Sequence, residues 1–212
     1  MYRNIGNAIL NLLFPPHNDV EVSRTLTVAD AYDNFTLYKT DGGIYTALPY
    51  RESGVRSLIR ANKFHDDSRA THILASVLGE ILTNIMEEYA LAPEWRRPLL
   101  IPIPASPKRL RKRGVNQVEQ IIKALPKEIL RHFEYSPYIV EREHRESQVR
   151  VGKHKREENI RGAFYVSNQK LIEGKYIIVV DDVVESGATM KDAARALQES
   201  GAQEIICIAL AH

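Results

Sequence analysis

The stretch KYIIVVDDVVESGATMKDAARALQES, residues 175–200, passes directly from a buried strand through an acidic loop into a helix. Residues 176–180 form an unbroken, largely β-branched apolar run. It is too short for a typical helix and lacks the alternation of a half-exposed strand, which predicts a central parallel strand. Two carboxylates, Asp181 and Asp182, stand at its carboxyl end. In open α/β sheets that end faces the ligand crevice, where adjacent acids suit a sugar diol or a hydrated divalent cation. Glu185, Ser186, Gly187, Ala188 and Thr189 then supply small side chains, two hydroxyls and a glycine that lets backbone amides approach an anion. Met190, Ala193, Ala194 and Leu197 fall on one face of a helix whose N-terminus points its free N–H groups into that loop. Gly201 ends the helix, and residues 204–210 come next as a second buried strand that closes a βαβ unit.

An acid pair followed by a phosphate-cradling loop describes a site for a phosphorylated ribose. A simpler reading, in which the acids cap the loop and Ser186 and Thr189 start the helix, fits any βα junction. Two mutually repelling carboxylates at one strand end nevertheless bring no structural benefit. Neither G-x-G-x-x-G nor G-x-x-x-x-G-K-[ST] occurs in the chain, so no other nucleotide signature competes.

At 212 residues, 44% hydrophobic and 26% charged, the chain has the composition of a soluble globular protein. We divide it into an N-terminal hood of helix plus hairpin, residues 1–50, and a core, residues 51–212. A net charge of +2 gives no reason to expect a nucleic-acid or membrane partner. The single cysteine, Cys207, excludes an intrachain disulfide and a cysteine-based zinc site, and it fits a reducing, cytoplasmic compartment.

Residues 2–14 place Ile5, Ala8, Ile9, Leu12 and Leu13 on one helical face, with Pro15 and Pro16 as the stop. From residue 20 to 50 the pattern turns to short β-like pieces, 35–38 and 44–48, around an Asp41-Gly42-Gly43 turn. A helix beginning at Ser53 carries Val55, Leu58 and Ile59. A longer one, capped by Asp67 or Ser68, buries Ile73, Val77, Ile81 and Ile85, with Lys63 and Phe64 in the link between the two. Both helices read as scaffold without chemistry. Residues 98–104, PLLIPIP, form a strand that runs into Lys108, Arg109, Arg111, Lys112 and Arg113. Those cations belong either to a solvated basic helix start or to a second anion site. Because cations are poorly placed beside a helix N-terminus, we favour the second. Residues 141–162 are charged and aperiodic. They read as a mobile lid in preference to a solvated helix pair or a nucleic-acid arm, since their acids largely cancel their bases.

VVDDVVESGAT resembles the phosphoribosyl-pyrophosphate (PRPP) motif of type I phosphoribosyltransferases. The resemblance implies that Asp181 and Asp182 hold the ribose 2′ and 3′ hydroxyls and that Glu185, Ser186, Gly187, Ala188 and Thr189 wrap the 5′-phosphate. Further stretches, ILNLLFPP, the Tyr50, Val55, Leu58, Ile59, Lys63, Phe64 pattern, IPIPASPKRLRKRGVNQ and the Gln148, Arg156, Asn159, Gly162, Ala163, Phe164 spacing, are similar to the ComF family, associated in some bacteria with competence for DNA uptake. That likeness implies a three-layer α/β fold with a mostly parallel central sheet. Ala105, Ser106, Lys108, Arg109 and Arg113 would face the pyrophosphate. Arg145 and Arg156 would sit on a catalytic lid, and magnesium would arrive with PRPP near Asp181 and Asp182. The implied reaction transfers phosphoribose to a nitrogenous acceptor. The alternative is a PRPP- or nucleotide-binding regulatory or scaffold protein without turnover. PRPP and the acceptor are the expected small-molecule partners, with a DNA-uptake protein and a second copy of the chain as candidate macromolecular ones.

Two departures from the ComF pattern carry expectations of their own. Where many relatives place a four-cysteine zinc knuckle, this chain has His17-Asn18-Asp19, so we expect no zinc and a reshaped hood. Glu185 replaces a customary threonine. By analogy with an aspartate of hypoxanthine-guanine phosphoribosyltransferases it either orients or deprotonates a heterocycle, or it faces solvent.

Overall fold

The structure, a computed structural model, describes residues 18–92, 95, 97–137, 140–142 and 162–212. Residues 176–183, all extended, set the frame. Strand β7 (Tyr176–Val183) pairs in parallel with β3 (Leu99–Pro102) on one side and β8 (Glu204–Ala211) on the other. Its apolar run is buried on both faces, which is why it shows no alternation. Outside β3 lies β4 (Glu134–Tyr135), and outside β8 lies β2 (Tyr45–Thr46), both parallel to their neighbours. Only β1 (Tyr38–Lys39) is antiparallel, so the six-stranded order is β1-β2-β8-β7-β3-β4. The expected hairpin therefore exists and is joined to the main sheet, with Tyr45 opposite Ile208.

Successive strand residues point to opposite faces, and β7 accordingly divides the core in two. Ile178 and Val180 face the layer containing α3 (Ser53–His65), α4 (Ser68–Glu88) and α6 (Gln117–Lys123). Ile177 and Val179 face α8 (Ala188–Glu199) and a small antiparallel ribbon of β5 (Val140–Arg142) and β6 (Phe164–Val166). Helix α4 buries the predicted Ile73, Val77, Ile81 and Ile85, and Asp67 caps it by accepting from the Arg69 and Ala70 amides. On α8 the buried stripe is Met190, Ala193, Ala196 and Leu197; Ala194, assigned to it from sequence, is only half-buried. Each fully buried leucine of these stripes stabilises by about 1.5–3 kcal/mol.

Two features depart from the sequence reading. Helices α1 (Asn18–Thr25) and α2 (Val28–Asp33) occupy a region read as starting with β-like pieces. The entry signal of α2 is Thr27-Val28-Ala29-Asp30, a reciprocal capping box in which the Thr27 hydroxyl accepts from the Asp30 amide and Asp30 accepts from the Thr27 amide. Lys63 and Phe64 are not in a link; they lie in the last turn of α3. The N-terminal amphipathic helix and most of the lid segment fall outside the described residues. No helix among the described residues is long and apolar enough to cross a membrane.

Candidate functional site

A cavity of about 480 Å³ opens at the carboxyl ends of β3 and β7, between α3, α8 and α5 (Pro107–Arg113). Asp181 and Asp182 both line it. Being adjacent on a strand, they straddle the tip: Asp182 shares the face of Ile178 and Val180, toward α3, and Asp181 shares the face of Val179. That geometry explains why Asp182, 7% exposed, meets Lys63, whose ammonium lies 2.8 Å from Asp182 Oδ1. Asp181 Oδ1 accepts the Asp182 backbone N–H at 2.8 Å. Burial, and then the neighbouring Asp182 carboxylate, push the Asp181 carboxyl up to about 7. The opposing pull of the Asp182 amide, Lys63 and Arg109 is weaker.

The loop beyond the acid pair leaves its amides open. Val184 N–H donates to Ala211 O at 2.9 Å, tying the strand end to β8. Beyond it, the amides of Glu185, Ser186, Gly187, Thr189 and Met190 have no hydrogen-bond partner among the described residues. The Ala188 amide has only a long contact, 3.4 Å, to Ser186 Oγ. Helix α8 begins without a side-chain cap and without an acid in its first turn, so its positive end faces the cavity uncompensated. Gly187 makes the turn at φ +74°, and a Cβ there would stand 3.1 Å from Ile44 Cδ1 on the hairpin. Gly187→Ala is therefore expected to destabilise the protein by about 1–2 kcal/mol, read as a lowered thermal midpoint.

Across the cavity, Arg109 and Arg113 project from α5, one turn apart on the same face. The Arg113 guanidinium sits 4.8 Å from the centre of the Phe64 ring and donates to Gln117 Oε1 at 3.0 Å. Ala105 also lines the cavity, whereas Ser106 caps α5, accepting from the Arg109 amide at 3.4 Å, and is not in the wall. Glu185, Ser186, Gly187, Ala188 and Thr189 form the opposite wall, with Glu185 exposed at the rim. Arg145, Arg156 and the Lys108 side chain lie outside what is described.

Reasoning from sequence missed Lys63, Tyr50 and Asn116, all of which line the cavity. Asn116 has a structural duty too: it caps α6 through the Val118 amide and donates to Ile103 O at 2.9 Å, holding the β3 exit. For Lys63 the signal was present. Val55, Ile59 and Lys63 recur every four residues, so the lysine continues the buried stripe of α3. Magnesium, which the resemblance implies, meets no ready-made cage: among the described residues no three His, Cys, Asp or Glu side chains converge as ligands. Asp182 already holds an ammonium. This donor set does not fit a metal ligated chiefly by the chain.

Residues 110–212 match the phosphoribosyl transferase domain family. The competence protein ComFC of Streptococcus pneumoniae is 29% identical over 143 residues, 68% of this chain and 56% of that protein, so the match spans little more than half of the relative's length. Among solved structures, the glutamine PRPP amidotransferase of B. subtilis is 15% identical with a TM-score of 0.38, covering 69% of this chain and 29% of that one. The hypoxanthine-guanine phosphoribosyl transferase of L. donovani is 12% identical with a TM-score of 0.41, covering 66% and 67%.

Proposed function

We propose that the chain is a phosphoribosyltransferase-like protein of the ComF family that binds PRPP in the β7–α8 cavity and transfers phosphoribose to a nitrogenous acceptor. One observation carries the reading. Three chemically distinct walls meet in one cavity: an acid pair, a run of unpartnered amides at a helix N-terminus, and a pair of arginines. They match in kind the diol, the 5′-phosphate and the pyrophosphate of PRPP. Displacing pyrophosphate from the anomeric carbon develops positive charge on the ribose and negative charge on the leaving group. Asp181 and Asp182 orient the hydroxyls, the loop amides anchor the 5′-phosphate, and Arg109 and Arg113 stabilise the departing charge. Magnesium bound to the pyrophosphate would add to that neutralisation. Glu185 is exposed at the rim, and in this reading it would orient an incoming heterocycle.

Calorimetric titration with PRPP and magnesium tests the binding step, with saturable one-site binding as the expected result. A screen for pyrophosphate release across nitrogenous bases and amines tests turnover. No heat with PRPP at any magnesium concentration would sink the proposal. The name of the S. pneumoniae relative supports a second reading, a PRPP-binding protein of the DNA-uptake machinery without turnover. Tight binding with no pyrophosphate released on any acceptor would favour it.

A further inference from the structure

Resting on the phosphoribose reading, we propose that Lys63 is a positioning residue: it fixes the Asp182 carboxylate so that the acid pair presents two free oxygens to a ribose diol. Each acid has one oxygen occupied. Asp181 Oδ1 takes the Asp182 amide and Asp182 Oδ1 takes the Lys63 ammonium, both at 2.8 Å. The two Oδ2 atoms have no partner among the described residues, and both side chains line the cavity. A carboxylate tied at one oxygen by a charge-assisted bond keeps the other in a fixed direction.

The position of Lys63 argues for orientation as its role. It sits in the last turn of α3, 21% exposed at the side chain, facing the cavity and not bulk solvent. A buried ion pair contributes little net stability over an apolar pair of similar size, so packing alone gives no reason for this one. The adjacent Phe64 carries the Arg113 guanidinium, so the end of one helix supports both the acid wall and the cationic wall. The other charged groups facing the pair are Arg109 and Arg113 from α5 and Glu185 from the loop.

Ribose 5-phosphate and 2-deoxyribose 5-phosphate differ only in the 2-hydroxyl, so calorimetric titration of the full chain with each reads the diol contact. Wild type is expected to prefer ribose 5-phosphate by about tenfold, the worth of one charge-assisted hydrogen bond. Lys63→Met is expected to cut that preference to below roughly threefold, with inorganic phosphate bound as in wild type, and Lys63→Arg to restore it. In an Asp182→Asn background, Lys63→Met should change the preference no further, because the lysine acts through that carboxylate. The double variant removes both charges of the ion pair, so its comparison with Asp182→Asn also decides the matter if Lys63→Met alone does not fold. An undiminished preference in Lys63→Met, or a further loss in the Asp182→Asn background, overturns the role of Lys63 while leaving the site intact. Failure of wild type to bind either sugar phosphate overturns the site itself and this role with it.

Discussion

Replacing Asp181 and Asp182 together by asparagine is expected to weaken PRPP binding by at least about 100-fold, since two hydrogen bonds to charged acceptors are lost. The single variants should differ in what they do to the free protein. Asp181 titrates higher in the folded state than its ordinary value of 3.8, because burial and the Asp182 carboxylate disfavour its charge. The folded state therefore holds that proton more tightly than the unfolded chain does. Stability is lost as pH rises from about 4 to about 7 and stays lower above that. Asp181→Asn removes the titration, and its advantage over wild type should grow across that window and level off above about pH 7. Asp182→Asn relieves only the smaller part of that penalty, the charge repulsion, and it strips Lys63 of its partner. Thermal unfolding of both variants between pH 4 and 8 checks the sign. An Asp181→Asn protein less stable than wild type at pH 8 would contradict it, and unchanged PRPP affinity in the double variant would remove the acid pair from the site.

That the acid pair is held at a cost to stability bears on which parts of the molecule were legible in the sequence. The βαβ unit was readable because its strands are apolar on both faces and its loop departs abruptly from that composition. The acid pair stood out for the same reason that it is costly, two like charges at the tip of a buried strand. Lys63 was obscured because a lysine ending an amphipathic helix is normally solvated. Only the four-residue recurrence from Val55 through Ile59 marked it as facing inward. Helices α1 and α2 were missed because they offer few apolar residues: α1 docks through the buried Ser23, and α2 through Ala31. The existence of α2 is written in the capping box at Thr27, not in periodicity. Within the basic stretch at 108–113, Arg109 and Arg113 line the cavity, and the backbone that carries them is a short helix. Ser106 at the cap, Pro107 at the first position and Gly114 in the left-handed conformation at the end are the signs of a short helix.

Asp192→Asn is expected to be the most destabilising conservative change near the site, by about 3 kcal/mol, lowering the thermal midpoint by several degrees. Asp192 is a buried acid in the middle of α8, the helix that follows the loop at 185–187. It accepts hydrogen bonds from the amides of Gly162, Ala163 and Phe164 at 2.7, 2.8 and 3.0 Å, and from Arg195 Nε at 2.9 Å. Arg195 in turn donates to Phe164 O at 3.1 Å. Through these bonds the backbone entering β6 is pinned to the helix behind the loop. Burial alone would raise the Asp192 carboxyl, but the Arg195 hydrogen bond and the Gly162 and Phe164 amides outweigh it and hold it below the ordinary 3.8. For an acid lowered in this way, the stabilisation is complete above its unfolded value and vanishes as pH falls through the folded one. An asparagine keeps the shape while turning one acceptor into a donor that faces an N–H group. The gap in stability between wild type and Asp192→Asn should therefore be full at pH 5 and above and narrow below pH 4. Melting curves that stay parallel down to pH 3 would show that shape, and not the charge on Asp192, holds the two elements together.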